Sequence, residues 1–224
     1  MKMLTMSRRL RLEKRIRKFF EDNGLSIVLI LLFIGALAGQ IATGFFVFNQ
    51  QQSEHRAAPL SLGKFLASGT FTNGIFSNWQ AATLQLAALL ILSTRLRQRG
   101  ASHSRSSANR TRKPGHQKKP KSGWLYRNSL SLAFCGLFAI SFLLHLFEGA
   151  RAYNEKQRLI QSPTVGVIQF AASAEFWFEN TETWQAEFFT IAAFIILTIF
   201  LRQENSPESK PSDSPDNETG TVDS

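Results

Sequence analysis

The feature that most constrains this chain is an internal repeat of 76 residues. Residues 23–98 align without a gap on residues 128–203 when the sequence is shifted by 105 positions, and 22 of the 76 aligned pairs are identical. The identical pairs include Gly44 with Gly149, Asn49 with Asn154, Ser68 with Ser173, and Trp79-Gln80-Ala81 with Trp184-Gln185-Ala186. An ungapped repeat of this length indicates that one structural unit occurs twice.

Each copy is apolar at both ends and polar in the middle, which predicts two membrane-spanning helices joined by an outside loop. About 20 apolar residues cross a hydrocarbon core of about 30 Å, and the 23 residues from Ser26 to Phe48 carry no formal charge. The expected spans are residues 26–48, 79–96, 130–148 and 184–201. The sequence therefore predicts an all-α membrane protein with four transmembrane helices, arranged as two parallel two-helix repeats.

The first apolar run also has a rival interpretation, because a basic segment precedes it as in a secretory signal peptide. A signal peptide has an apolar core of about 7–15 residues and a small-x-small cleavage site. The run from Ser26 to Phe48 is longer, and no such site follows it cleanly. We expect an uncleaved first helix.

The distribution of Lys and Arg predicts the orientation of the spans. Residues 1–22 carry eight of these side chains and residues 95–127 carry eleven, whereas the two proposed outside loops carry two and three. Cytoplasmic flanks retain positive charge. Both termini and the linker are therefore expected in the cytoplasm, so that the two copies enter the membrane in the same direction.

The segments outside the repeat differ in charge. The basic segment 1–22 has two open interpretations: an amphipathic helix on anionic lipid headgroups, or a positive flank that only sets topology. The linker 99–127 is basic and Ser-rich, and the tail 204–224 is acidic with three prolines, so disorder is expected in both. Nucleic-acid binding by the linker is disfavoured, because it lies between two spans and has no interleaved aromatics.

Three polar side chains in or beside the spans form the candidate site. Gln40 and His145 occupy equivalent repeat positions, and Glu148 lies one turn beyond His145 on the same helix face. Together they would form a small polar pocket near the outer surface, where a histidine could support proton-linked chemistry. The favoured alternative is a His–Glu pair wetted at the headgroups or a packing hydrogen bond, because Glu148 lies at the edge of its span.

Three aligned pairs of polar or aromatic residues have structural interpretations. Trp79 and Trp184 fit the aromatic belt at the membrane interface. The adjacent glutamines, Gln80 and Gln185, are expected to satisfy backbone groups at the start of their helices. Asn49 and Asn154 are expected to end the first helix of each copy as C-caps.

The sequence lacks the common signatures of catalysis and cofactor binding. It has no HExxH motif, no Gly-rich phosphate loop and no Ser/His/Asp set, and its single cysteine, Cys135, lies in an apolar run. We therefore expect no catalytic, metal or cofactor site and no enzymatic activity.

Several stretches resemble a known family. They are Tyr153-Asn-Glu-Lys-Gln157, Phe176-Trp-Phe-Glu179, Trp184-Gln-Ala-Glu-Phe188, Phe200-Leu-Arg-Gln203 and Ser206-Pro-Glu-Ser-Lys-Pro211. The chain resembles a bacterial membrane-protein family known only as a domain of unknown function, over about residues 23–211. The resemblance implies tandem two-span repeats in the bacterial cytoplasmic membrane, and it implies no activity.

Two functions from different classes remain open. The favoured one is a non-enzymatic integral membrane protein that acts as an assembly or envelope module, with the lipid bilayer and anionic headgroups as its partners. The alternative is a transporter of small solutes or ions, working as a homodimer because four spans enclose little pore. Transport would need a polar stripe through the bilayer, whereas the polarity of these spans lies near their ends.

Overall fold

A computed structural model describes residues 2–104 and 123–220, with the backbone alone for residues 2–12. The described residues are helical or form turns, without strands, which confirms the all-α fold. The helices are α1 (Lys2–Glu54), α2 (Leu62–Leu66), α3 (Gly69–Ser93), α4 (Trp124–Arg127), α5 (Ser129–Leu159), α6 (Val167–Ala171) and α7 (Ala174–Phe200). The chain divides into two compact units, Met1–Leu66 and Ala67–Ser224.

Four of these helices are long and apolar enough to cross a membrane. The qualifying segments are Glu13–Glu54, Gly69–Ser93, Ser129–Leu159 and Ala174–Phe200. The 25 residues of α3 alone extend about 38 Å, which exceeds a hydrocarbon core of about 30 Å. Each predicted span overlaps one of these helices. Helices α3 and α7 both begin ten residues before the expected Trp79 and Trp184, and α3 ends at Ser93, before the expected Leu96.

In the first unit, α1 runs without interruption from Lys2 to Glu54. The prediction that Asn49 ends this helix is wrong, because Asn49 lies within it. Its side chain instead accepts a hydrogen bond from the Leu60 backbone N–H at 2.7 Å and donates to the Leu60 carbonyl at 3.3 Å. This pair of bonds ties the loop back to the helix, and the buried Phe65 ring packs close to Gly44.

The same local contacts occur in the second unit, 105 residues later. Asn154 lies inside α5, so the C-cap prediction is wrong here too, and its amide exchanges two hydrogen bonds with the Val165 backbone, each at 2.8 Å. A Cβ atom on Gly149 would lie 2.9 Å from the Phe170 ring, as one on Gly44 would lie 3.1 Å from Phe65. The turns that follow α1 and α5 also share a positive φ, at Arg56 and Gln161.

Serine side chains start the second long helix of each copy. The Ser68 hydroxyl accepts a hydrogen bond from the Phe71 N–H at 3.2 Å, and Ser173 accepts from Phe176 at the same distance. This bond satisfies one of the N–H groups that a helix start leaves without a partner in the helix. The helices therefore begin well before the apolar runs from which the spans were predicted.

In the second unit α3 packs against α5 and α7, and a buried apolar cluster lies between α5, α6 and α7. Ala150, Phe170 and Phe176 are its buried centre, and partly buried side chains surround them: Phe142, Leu146, Tyr153, Val165 and Val167. The Phe170 and Phe176 rings meet edge to face with centroids 5.5 Å apart. This aromatic packing joins α6 and α7 to α5.

The tail has defined contacts in the structure, although its composition predicts disorder. Thr219 Oγ1 accepts hydrogen bonds from the Gly100 N–H at 2.9 Å and from the Arg97 guanidinium at 3.2 Å. The Lys210 ammonium donates to the carbonyls of Pro215, Asp216 and Glu218 at 3.2, 3.1 and 3.2 Å. Backbone carbonyls of the tail thus bind its own lysine, and the amino-acid composition does not predict these contacts. Residues 105–122 of the linker lie outside the described residues.

Candidate functional site

Polar side chains gather where α3 packs against α5 and α7. Three of them, Gln80, His145 and Asn180, are 0% exposed. A polar group that is buried without a hydrogen bond destabilises a fold, and in a membrane-spanning segment such groups are rare and often functional. Their hydrogen-bond partners therefore indicate what this cluster can do.

His145 on α5 faces Asn73 on α3. The His145 Nδ1 atom lies 2.8 Å from Asn73 Oδ1, and the Asn73 amide nitrogen donates to Glu179 Oε2 at 3.4 Å. An amide oxygen can only accept, so the Nδ1 atom carries a proton and donates it to Asn73. The imidazole stacks on Phe176 with ring centroids 5.3 Å apart, and Nε2 has no hydrogen-bond partner among the described residues.

Gln80 joins α3 to α7. Its amide nitrogen donates to Asn180 Oδ1 at 3.0 Å, and its oxygen accepts from the Trp184 indole N–H at 3.0 Å. Asn180 in turn donates to the Phe176 carbonyl at 2.7 Å. The prediction that Gln80 satisfies backbone groups at a helix start is wrong, because Gln80 lies well inside α3 and both its polar atoms bind side chains of another helix.

Glu148 also faces α3, one turn beyond His145. Its Oε2 atom accepts a hydrogen bond from Thr72 Oγ1 at 2.6 Å and a second from the Arg151 guanidinium. Arg151 donates in addition to the Ala67 carbonyl at 2.7 Å. Glu148 therefore forms an ion pair with Arg151, and Arg151 ties α5 to the segment before α3. The partners of Glu148 in the structure are Thr72 and Arg151, so the predicted pairing of His145 with Glu148 is wrong.

Glu155 completes this row of contacts at the start of α3. Its carboxylate accepts hydrogen bonds from the backbone N–H groups of Gly69 and Thr70, at 2.8 and 3.1 Å, and from the Thr70 hydroxyl at 3.2 Å. A negative charge at a helix N-terminus is stabilised by the free N–H groups and by the helix dipole. A residue of α5 therefore caps the N-terminus of α3.

The structure brings two of the three predicted site residues to one interface. His145 and Glu148 both face α3, each with a different partner. Gln40 is exposed on α1 in the first unit, so its part in the pocket stays a prediction. Sequence reasoning missed Asn73 and Asn180. The seven-residue spacing of Asn73 and Gln80 places both on one face of α3, and this spacing could have identified Asn73 as a site residue.

The chemistry of the cluster is that of hydrogen bonding between helices. Its groups are amides, one imidazole, one indole, hydroxyls and carboxylates that already accept bonds. Within the ranges that the structure describes, no group of three or more His, Cys, Asp or Glu side chains is placed to hold a metal ion. The arrangement can therefore fix the register of three helices, and it leaves His145 Nε2 as a buried nitrogen whose lone pair is not used there.

Comparison with known proteins places the chain in one family. A family model described as a domain of unknown function, DUF6766, matches residues 16–221. No curated protein and no solved structure matches the chain. The matched region includes α3, α5 and α7 completely and most of α1. The chain therefore belongs to the DUF6766 family.

Proposed function

We propose that this chain is a multi-pass protein of the bacterial cytoplasmic membrane that serves as a non-enzymatic assembly or envelope module. The observation that supports this most is the use of the polar side chains inside the apolar helices. Gln80, His145 and Asn180 are completely buried. Each makes a side-chain hydrogen bond to a neighbouring helix: Gln80 with Asn180, and His145 with Asn73. Polar side chains of this kind hold membrane helices together.

A transporter needs polar groups that a permeating solute or ion can reach. Side chains that are 0% exposed and already hydrogen-bonded do not provide such a path. The geometry therefore favours packing over permeation. His145 is the residue on which the two functions differ most, because its Nε2 atom could take up a proton if water reached it.

The proposal includes two parallel copies of one unit, with both termini in the cytoplasm. The copies are supported by contacts that occur twice at a separation of 105 residues, such as the Asn49–Leu60 and Asn154–Val165 pairs. The orientation is supported by the nineteen Lys and Arg side chains in residues 1–22 and 95–127, against five in the two loops.

A flux assay in liposomes tests the proposal against the transporter. We expect purified wild-type protein to carry protons and K⁺ no faster than protein-free liposomes, and His145→Ala to give the same background rate. The rates would be measured with an entrapped pH-sensitive dye and a K⁺-sensitive dye after a concentration jump. Flux that exceeds the background and falls in His145→Ala would contradict the module and establish transport.

Membrane insertion and orientation need a separate measurement. We expect the protein to stay in membranes after carbonate extraction, and a fluorescent protein fused after Ser224 to fluoresce while an alkaline phosphatase fused there stays inactive. A fusion after Ser61, in the loop of the first copy, should give the opposite pair of results. Release by carbonate, or an active phosphatase after Ser224, would contradict the proposed arrangement.

A further inference from the structure

A groove of about 540 Å³ lies in the second unit between the C-terminal halves of α3 and α7. Its walls are apolar. The principal wall residues are Ala88, Leu89, Leu92, Ile191, Ala192 and Ile195. One end is lined by Arg97, Gln98, His103 and Ser104, which belong to the segment that follows α3. The groove is thus apolar along its length and polar at one end.

The length of the groove fits one leaflet of a bilayer. Its walls extend from Gln85 to Ser93 on α3 and from Phe188 to Ile196 on α7. Eight residues of helix rise about 12 Å, close to half of a hydrocarbon core of about 30 Å. With the orientation proposed above, on which this step rests, the groove lies in the inner leaflet and its polar end meets the cytoplasmic headgroups.

The charges at the polar end favour an anion. Arg97 is exposed and donates to Thr219, and a guanidinium carries five N–H donors in a fork that matches phosphate. Arg95 and Arg99 flank it and are exposed as well. His103 Nε2 lies 2.7 Å from Glu208 Oε2, so the nearby carboxylate already has a partner. The tail's Asp216 is paired with Arg202, at 2.9 Å. Among the residues that line the groove itself, Arg97 carries the formal charge, and it is positive.

We propose that this groove binds a glycerophospholipid with an anionic headgroup. One acyl chain lies between α3 and α7, and the phosphate accepts hydrogen bonds from Arg97. Basic pockets between membrane helices on the cytoplasmic side bind anionic headgroups, and an apolar groove that continues from such a pocket accommodates the attached chain. The arginine makes the site selective for the headgroup, and the apolar walls hold any lipid of suitable length.

Native mass spectrometry of the full chain tests this site. The protein would be mixed in detergent with equal amounts of phosphatidylglycerol and phosphatidylcholine that carry the same acyl chains. The detergent would then be removed from the protein inside the spectrometer, and the lipids that stay bound would be weighed. We expect wild type to retain phosphatidylglycerol about tenfold better than phosphatidylcholine, because the choline cation of phosphatidylcholine offsets the phosphate charge that Arg97 attracts. Arg97→Gln should abolish that preference, and Ala192→Trp, which fills the groove, should reduce retention of both lipids.

Lys64→Gln is the matched control, because it removes an exposed cation from the loop of the first copy. It should keep the wild-type preference. Equal retention of both lipids by wild type, or a preference that survives in Arg97→Gln, would overturn the site. A dimer that Ala192→Trp dissociates would show that a second copy fills the groove and would overturn it too. The Ser224 fusions report orientation independently: a periplasmic C-terminus together with an Arg97-dependent preference would keep the site and reject only the proposed topology.

Discussion

Replacing Gly69 with alanine should destabilise the second unit by about 3 kcal/mol, the upper end of the range for overpacked sites. The added Cβ would lie 2.5 Å from the Ala152 nitrogen and 2.8 Å from the Arg151 carbonyl carbon. Both are backbone atoms of α5, which cannot rotate away as a flexible side chain can. The start of α3 would have to move off α5, and the cap from Glu155 to the Gly69 N–H would lengthen with it.

Thermal unfolding in detergent measures this effect, with Gly136→Ala as the control. Gly136 lies on α5, and a Cβ there would meet nothing within 4 Å. The control should be unchanged or stabilised by up to about 1 kcal/mol, because alanine favours a helix over glycine. If Gly69→Ala unfolded at the same temperature as Gly136→Ala, the close approach of α3 to α5 would be disproved.

Gln80→Leu should destabilise the protein by about 2 kcal/mol. The change removes both bonds that Gln80 makes, and it leaves Asn180 Oδ1 and the Trp184 indole N–H without these partners in a buried place. An unsatisfied buried group costs about 1–3 kcal/mol in soluble proteins. Hydrogen bonds between membrane helices contribute less, about 0.6 kcal/mol on average. The loss of both bonds should therefore cost close to the lower limit expected for two unsatisfied buried groups, which is about 2 kcal/mol.

The repeat supplies the control for this experiment. Gln185 is the aligned position in the second copy, and it is exposed on α7. Gln185→Leu should therefore leave the free energy of unfolding within about 0.5 kcal/mol of wild type, as for most surface substitutions. Both variants would be unfolded chemically in the same detergent, with Trp fluorescence as the signal. Equal effects of the two substitutions would refute the interhelical role of Gln80.

The number and type of the long helices could be predicted from the sequence, whereas their ends could not. A run such as Ser26–Phe48 must be helical to cross hydrocarbon, because every backbone polar group then bonds within the segment. The charges that follow mark the edge of the hydrocarbon, and a helix can continue beyond that edge into the headgroup region. The polar residue after the apolar run therefore predicts a C-cap at Asn49, whereas its side chain binds the loop backbone at Leu60 and its own backbone lies within α1.

The sequence could predict which residues of a helix belong to the site, but it could not predict their partners on other helices. Polarity in an apolar segment was enough to select His145 and Glu148, and both lie at a helix interface. Their partners, Asn73 and Thr72, could not be predicted, because the local sequence pattern does not indicate which helix packs beside α5. Gln80 and Gln185 show the same limit, because identical residues at aligned positions have different neighbours. Whether Gln40 joins them stays a prediction.

The capping of α3 by Glu155 has a consequence for biogenesis. Ribosomes make the chain from its N-terminus, so α3 is synthesised before α5 and α7. Until they arrive, the Gly69 and Thr70 N–H groups and the Asn73 and Gln80 amides lack the acceptors and donors that the finished protein gives them. The first half of the chain therefore depends on the second half for these hydrogen-bond partners, and they become available only when α5 and α7 have been made.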